Sequence, residues 1–426
     1  MATFNVKDVY SIMNVLARQA TGQADISVVD HTGFIDAGTK TLATGTENVL
    51  NAIYRTIAVI RFQSRPYTGK FGLIAADSNS FNTRMAKISY YSSDNTASGA
   101  FNTDAHTNIA DGYDNGTNND QSVGNMWEQN LPKAVERFFL KEAAYDKGYT
   151  TPMVQLQSAF NTEADFVRFW NGVMVEIEND VQSTTEARNR AVIADRIAGT
   201  YALVKGNELG SECVVDLTAE FNKAYGTNYS RAYIVANEKE RLLKLFISRF
   251  SIISDRLEER SVFYHDPLTI AASGSDPAYN VLRFTPKANQ KFMYASEFFK
   301  DLRVNVLPNI FNPSMLPEAN GEGVTYWQSN KEGNRLKISC KPALPAESKV
   351  NVSAGVELDN VIGILFDDEA IKTTMQFQGV YTTPVEARKL YTNTWMHWKF
   401  GSISDYTENA VIFILGENPG AKDPTK

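Results

Sequence analysis

Residues 162–199 read TEADFVRFWNGVMVEIENDVQSTTEARNRAVIADRIAG, and the length of the helical pattern in this stretch decides what kind of molecule the chain makes. Phe166, Trp170, Val173, Ile177 and Val181 fall on one stripe at three- and four-residue spacing, continued by Ala187, Ala191 and Ala194. Thr162 and Asp165 have capping-box spacing, with Asp in place of the usual Glu. Gly199 supplies a stop. A continuous helix from Thr162 to Ala198 would be roughly 55 Å long at about 1.5 Å per residue. The polar 182–185 section is where such a helix would kink. A single helix of this length is unusual in a compact enzyme.

The chain has 426 residues, 43% of them apolar, which is ample for a sizeable core in two or three domains or one elaborate architecture. Aromatics make up 11%, suiting dense cores or extensive subunit contacts. The net charge is −7, from 42 Lys and Arg against 49 Asp and Glu, and no basic run appears. The densest cationic stretch, Lys239 to Arg260, is interleaved with Glu238, Glu240, Asp255, Glu258 and Glu259. A protein gripping nucleic acid along its surface needs clustered cations to displace counterions, so that class is disfavoured. Cys213 and Cys340 give neither a disulfide framework nor a metal spacing, and both are expected as free thiols of a reducing compartment. No basic-then-apolar leader opens the chain and no window of about 18 apolar residues occurs, so synthesis in the cytoplasm and no membrane span are expected.

N-terminal to the long helix, Phe4, Val6, Val9, Tyr10, Met13 and Leu16 recur every two to four residues, a short amphipathic helix ending before Gly22. Residues 23–50 are small and polar, with Gly33, Gly38 and Gly45 breaking any pattern. Such a helix suits an arm that docks on a neighbour and equally a helix packed on its own domain. Ile57 to Phe62 reads as a strand. Ser92 to Asn125 is dominated by Ser, Thr, Asn, Asp and Gly and cannot bury a core. Residues 60–130 therefore read as one long excursion, two strands with a mobile tip.

C-terminal to it, Cys213–Leu217, Tyr233–Ala236, Leu282–Phe284, Lys291–Tyr294 and Val361–Phe366 read as strands, the last of them buried. Asn237–Glu259 reads as a helix, with Leu242, Leu245, Phe246, Phe250 and Ile253 at helical spacing. Pro308, Pro313 and Pro317 mark turns. Met396, Trp398 and Phe400 alternate with His397 and Lys399 as on a half-buried strand. Gly401–Thr407 reads as a turn, and Ala410–Leu415 as a second strand ending at Gly416.

Catalytic chemistry is not visible. The phosphate loop fails, since Ser64 stands where its first Gly belongs and Phe71 follows Gly69-Lys70. Gly401–Ser404 does not form a nucleophile elbow. His31, His106, His265 and His397 are dispersed, which argues against a histidine metal site. Asp111–Gly116 lacks the acids a calcium loop needs, with Tyr113 at its third position and Ser122 at its twelfth. His265-Asp266-Pro267 reads as a strand-ending turn rather than half of a catalytic pair. Asp367, Asp368 and Glu369 read as solvated acids, and Trp395 and Trp398 as packing rather than a sugar platform. No catalytic residue, cofactor site or metal site is expected.

The order of these features resembles the tailed-phage major capsid proteins of the Hong Kong 97 fold, and more narrowly those of phi 29-like and related short-tailed phages. Phe4–Met13 is similar to their arm segment, Thr285–Tyr294 with Val306–Pro313 to an axial-domain segment, and Ala387–Trp395 with Asp405–Phe413 to the closing strands of the peripheral domain. The resemblance runs over nearly the whole chain, without one signature motif. It implies an α+β, Hong Kong 97-like subunit: residues 1–55 an N-terminal arm, 56–130 an extended loop, 131–205 a peripheral domain with spine helix 162–198, 206–365 an axial domain, 366–416 peripheral return strands and 417–426 a polar tail. The phi 29 protein's own immunoglobulin-like C-terminal module has no counterpart after residue 416, so decoration by one is not expected.

The function implied is a major capsid protein, made in the host bacterial cytoplasm, that assembles with copies of itself into the pentamers and hexamers of an icosahedral head around double-stranded DNA. Portal and scaffolding proteins would be further partners, and contact with the packaged DNA would be weak and non-specific. Side chains expected in subunit contacts are Val6, Val9, Tyr10 and Met13 in the arm, Phe71 and Phe81 in the loop, Phe166 and Trp170 on the spine, and Trp395 and Trp398 near the end. An encapsulin-like nanocompartment shell, and a surface protein that binds carbohydrate, are the alternatives.

Overall fold

The computed structural model describes residues 6–22, 28, 31–44, 48–49, 52, 70–76, 85–91, 133–139, 142–159, 163–267, 269–270, 279–305 and 321–423. Two helices come first, α1 (Val6–Thr21) and α2 (His31–Ala43). Strands β1 (Met85–Tyr91) and β2 (Lys133–Phe139) pair with each other. Strand β3 (Glu142–Pro152), helix α3 (Met153–Ala159) and helix α4 (Glu163–Lys205) follow. Then come β4 (Val214–Asp216), α5 (Leu217–Tyr225), α6 (Arg231–Asn237) and α7 (Lys239–Glu258). Next are β5 (Thr269–Ile270), β6 (Tyr279–Asn280), β7 (Gln290–Ala295), α8 (Ser296–Asn305) and β8 (Gly321–Val324). The chain closes with β9 (Ile338–Cys340), β10 (Val356–Leu358), β11 (Val361–Asp367), β12 (Ile371–Thr382), β13 (Tyr391–Ser404) and β14 (Ala410–Ile414).

The residues divide into two compact units. The smaller comprises Ala86–Phe138 and Pro267–Leu282 and holds β1 with β2, and β5 with β6. The larger holds everything else.

In the larger unit one mixed sheet runs β4-β14-β11-β7-β8. Both of its faces are covered, and the alternation of side chains shows how. Val361, Ile364 and Phe366 of β11 and Ala410, Ile412 and Ile414 of β14 meet Val192, Ile193 and Ile197 of α4. Ile362 and Leu365, with Val411 and Phe413, meet α5, α7 and α8 on the other side. Burial on both faces is why β11 and β14 are almost wholly apolar instead of alternating. Phe246 of α7 sits at the middle of the second layer, its ring 5.4 to 6.4 Å from those of Phe250, Phe292, Phe298, Phe299 and Phe413. The second sheet, β12-β13-β3, is antiparallel throughout. Met396, Trp398 and Phe400 on one of its faces pack with α1, α2 and Leu156 of α3.

Several elements differ from the reading of the sequence, each for a local reason. Helix α4 does not stop at Gly199 but runs 43 residues to Lys205, about 65 Å. Its end is set by Asn207, left-handed at φ 58°, with the Glu208 N–H reaching the Leu203 carbonyl at 2.9 Å. Residues 182–185 remain helical, with the Thr184 and Thr185 hydroxyls turned back onto the carbonyls of Asp180 and Val181, at 2.8 and 2.7 Å, so that their polarity is absorbed within the helix. The stretch 23–50 contains α2, whose Phe34, Ala37 and Gly38 are buried, small residues serving as close packing rather than as breakers.

Tyr233–Ala236 is helical, in α6, started by the Ser230 hydroxyl accepting the Tyr233 N–H at 3.1 Å. Leu282–Phe284 makes only one bridge, Arg283 to Ser261. Strand β13 absorbs Gly401–Ser404, so the turn before β14 is 405–409. Of the two strands expected within 60–130, β1 lies inside those bounds and pairs with β2, which begins three residues past their end, while Ile57–Phe62, Phe81, the polar tip, Thr162 and the three prolines lie outside the described residues.

Candidate assembly surfaces

The N-terminal helices form a pair held by their own contacts. Asn14 of α1 accepts the Val28 N–H at 2.6 Å, fixing the connection to α2. Met13, Leu16, Ala17, Phe34 and Ala37 are buried in one cluster with Met396, Trp398 and Phe400 of β13. In the single chain this helix packs on its own domain, one of the two arrangements that the sequence leaves open for it. Nearby, Asp180 of α4 accepts from the Tyr149 hydroxyl at 2.7 Å and pairs with Lys147 at 2.9 Å, tying the helix to β3. The Tyr149 hydrogen bond and then Lys147 hold the Asp180 carboxyl below the usual carboxylate range.

Residues 70–76 form an anchored corner at the base of the long excursion. Phe71 is left-handed at φ 71°, a costly conformation for a bulky residue, and is fully buried. The Glu322 carboxylate takes the Phe71 N–H and, at 3.2 Å, the Leu73 N–H. Arg190 of α4 lies against the rings of Phe71 and Tyr326, 4.7 and 3.8 Å from their centroids, and pairs with Glu186 at 2.5 Å. The Ala76 N–H donates to the Thr373 carbonyl at 2.8 Å, and the Thr373 hydroxyl donates to Asn189 at 2.8 Å. One corner of chain is thereby fastened to α4, β8 and β12.

The face of the three-stranded sheet opposite the helices is aromatic and open. Trp395, Tyr381 and nearby Leu390 remain 43%, 59% and 47% exposed. Register sets Trp395 opposite Tyr381 on one side and Gly148 on the other. The Trp395 ring lies so close over Gly148 that a Cβ there would meet it at 3.2 Å. Tyr381 crosses His397 edge-on at 5.8 Å, and Lys399 pairs with Glu142 at 2.6 Å at the end of the row. In the smaller unit, Ile88 and Phe138 are also more than half exposed.

The turn 405–409 is a buried joint between β13 and β14. Asp405 accepts the Thr407 N–H and hydroxyl at 3.0 and 2.7 Å. Asn409 meets His265 Nδ1 at 3.1 Å and donates to the Thr285 hydroxyl, which donates to Asp367 at 2.7 Å. Arg196 of α4 stacks on Tyr406 at 4.3 Å and donates to the Glu408 carbonyl at 3.1 Å. His265 therefore belongs to a structural network, and Asp367 is buried rather than solvated.

Of the side chains expected at subunit contacts, Met13, Phe71 and Trp398 are buried within the chain, Tyr10 is partly buried against the same cluster as Met13, and Trp395 is open. Val6 and Val9 lie in α1, and Phe166 and Trp170 in α4. Sequence reasoning does not single out Tyr381, Leu390, Glu322 or Arg190. Tyr381 becomes visible only through its register with Trp395, whereas the strand period alone puts Trp395 on the face opposite Trp398. Among the described residues no group of three His, Cys, Asp or Glu is placed to hold a metal, and no helix is long and apolar enough to cross a membrane.

The sequence model of the Phi29-like phage major capsid protein family matches residues 23–414. No curated protein matches by sequence. Among solved structures, the capsid structure of Staphylococcus phage Andhra is similar at TM-score 0.45 and 11% identity, over 83% of this chain and 88% of that one. A chain from the structure of the head fiber and inner core protein gp22 of bacteriophage P68 matches at TM-score 0.45 and 11% identity, over 83% and 87%. The capsid of Cyanophage P-SCSP1u matches at TM-score 0.42 and 12% identity, over 81% and 87%.

Proposed function

The chain belongs to the Phi29-like phage major capsid protein family and is a structural protein of an icosahedral phage head, and we propose that it closes the shell by lending its N-terminal arm and its extended loop to neighbouring copies. The observation that carries this reading is the family match across residues 23–414, which favours a DNA-filled head over a nanocompartment shell or a glycan-binding surface protein.

In this reading residues 1–55 are the arm, 56–130 the extended loop, 131–205 the peripheral domain with its spine, 206–365 the axial domain, and 366–416 the returning peripheral strands. Helix α4 supports the spine assignment, since it packs against the five-stranded sheet at Val192–Ile197 and contributes Val181 to the cluster beneath the arm. Anchoring of residues 70–76 supports the loop assignment: a segment that reaches a neighbour transmits force only from a fixed base. Exposed Trp395 and Tyr381 support a contact surface on the peripheral sheet, because aromatic rings dominate the energetics of interfaces. Subunits group as pentamers and hexamers, with portal and scaffolding proteins as further partners. The acidic balance keeps contact with packaged DNA weak. Synthesis takes place in the host cytoplasm, and the role is structural, with no reaction catalysed.

Deletion of residues 80–125 tests the loop. The expected product is a soluble subunit that forms no shells under negative-stain microscopy while the full chain does. Normal shells from the deletion would overturn the assignment.

A further inference from the structure

Residues 417–426 read from the sequence as a polar tail, yet as far as Asp423 they lie along the corner between α5 and α6. The segment leaves β14 where the Gly416 N–H donates to Asp216 Oδ1 at 3.0 Å. That oxygen also caps α5, accepting the Thr218 and Ala219 N–H groups at 2.9 and 3.3 Å. Glu417 pairs with Arg231, the first residue of α6. Asn418 donates to the Asn228 side chain at 2.7 Å and to the Tyr229 carbonyl at 3.1 Å. Asn228 in turn donates its amide to the Gly420 carbonyl, and its backbone carbonyl accepts the Lys422 N–H, both at 2.7 Å. Asp423 closes the row: its two carboxylate oxygens accept the Ser230 N–H and hydroxyl, each at 2.6 Å. The whole stretch lies beyond residue 414, where the family match ends.

What these bonds hold is the element least able to stand alone. Helix α6 has 7 residues, whereas an isolated helix is marginal in water below about 12–15. Ile234 is its one buried side chain, in the layer around Phe246. Its start depends on the Ser230 hydroxyl, which accepts the Tyr233 N–H at 3.1 Å while giving its own proton to Asp423. A hydroxyl rotates to suit its partners, so Asp423 fixes the proton on one side and leaves the lone pair aimed at the helix. Helices α5 and α7 have their own support. Asp216 caps α5, which buries Leu217 and Phe221, and α7 buries an apolar stripe from Leu242 to Leu257.

We propose that the α5–α6 corner is a docking site for a polar peptide ending in a carboxylate, that its occupant is this chain's own segment 416–423, and that α6 is folded only while this strap is closed. A contact that draws the strap away unwinds α6 and the turn before it, and leaves α5, α7 and the five-stranded sheet in place. Each bond of the strap is weak by itself, being part-exposed, but covalent continuity with β14 holds the occupant at high local concentration. The inference concerns the free subunit and does not rest on the arm or loop assignments.

Hydrogen exchange on the full chain tests this. Asn418→Ala with Asp423→Ala loosens the strap and leaves the sequence of α6 untouched. The Ile234 and Glu238 amides donate to the Ser230 and Ile234 carbonyls, so neither touches a substituted residue. Both should exchange about tenfold or more faster than in the parent, while amides inside α7 change by less than about twofold. Asp423→Asn keeps an acceptor oxygen for Ser230 and should fall between. The parent supplies a measurement that needs no variant: its Lys422 amide should exchange about tenfold or more slower than in a synthetic peptide of residues 415–426. Unchanged exchange of α6 in the double variant would overturn the dependence, and a Lys422 amide exchanging at the peptide rate would overturn the strap itself. Equal acceleration of α6 and α7 would also overturn it, because the segment would then support the subunit as a whole and not this corner.

Discussion

A Cβ on Gly199 would stand 2.9 Å from Cζ and 3.2 Å from Cε1 of Tyr406, inside the envelope of the ring and its hydroxyl. Helix α4 thus passes the buried joint at 405–409 through a notch that only glycine leaves open. Tyr406 uses the notch to donate from its hydroxyl to the Ala343 carbonyl at 3.2 Å and to lie under Arg196. Gly199→Ala is therefore expected to destabilise the subunit by about 1–3 kcal/mol, the usual cost of overpacking a core. Thermal unfolding of the free subunit measures it. Gly72→Ala, where an added Cβ meets nothing within 4 Å, is the control and should stay within about 0.5 kcal/mol of the parent.

Truncation of Phe246 should be among the most damaging single changes. Its ring is surrounded by five others and is fully buried between α7 and the five-stranded sheet. Phe246→Ala is expected to cost about 3–5 kcal/mol, seen as loss of soluble subunit or a large fall in denaturation midpoint. Tyr381→Ala removes a ring that is 59% exposed and should change stability by about 0.5 kcal/mol or less while lowering shell yield.

The contrast between Phe246 and Tyr381 also marks what a sequence carries. Phe246 lies on a helical stripe with Leu242, Phe250 and Ile253, a local period fixed by 3.6 residues per turn, so its inward direction follows from near neighbours alone. The same holds for the long helix and for Trp398 against Trp395. Tyr381 acquires its place from pairing with a strand ten or more residues away, and Glu322 from capping a corner some 250 residues distant, at Phe71 and Leu73. Gly199 misleads for a related reason: glycine signals a helix end locally, and the ring that demands it lies more than 200 residues later. The small-residue helix α2 is hidden because close packing, not amphipathic pattern, defines it. Family resemblance reached the fold and the function where the local pattern alone did not.

The two thiols should differ sharply in reactivity. Burial pushes the Cys213 thiol up to about 12, whereas Cys340 is half-buried. At pH 8 a maleimide should label Cys340 in the folded subunit and reach Cys213 only after denaturation, as read by mass spectrometry. The sign of the linkage follows. An open-chain cysteine ionises near about 8.5, and the folded one holds its proton further into alkali. The contribution of Cys213 is intact below that pH and is lost as pH rises toward about 12, because only the unfolded chain releases the proton. Cys213→Ala should flatten this part of the alkaline decline in stability, at the cost of the packing the sulfur supplies among Leu203, Leu209 and Tyr406.

Glu322 should couple stability to assembly through the corner at residues 70–76. Its carboxylate satisfies two backbone N–H groups in a segment where Phe71 is held left-handed, and Lys70 reaches the Thr325 hydroxyl beside it at 3.1 Å. Glu322→Ala leaves both donors unpaired in a part-buried setting, at a cost of about 1–3 kcal/mol. Gln keeps one acceptor oxygen and loses the charge, so Glu322→Gln should fall between Ala and the parent. If the corner is the fixed base of the extended loop, shell yield by sedimentation should follow the same order: parent, Gln, Ala. The subunit should remain folded in each case, since Glu322 lies on the edge strand β8 and the aromatic layer around Phe246 on the other face of the sheet makes its own contacts. An alanine variant that loses stability as expected yet assembles like the parent would separate the corner's packing role from assembly and remove residues 70–76 from the loop's anchorage.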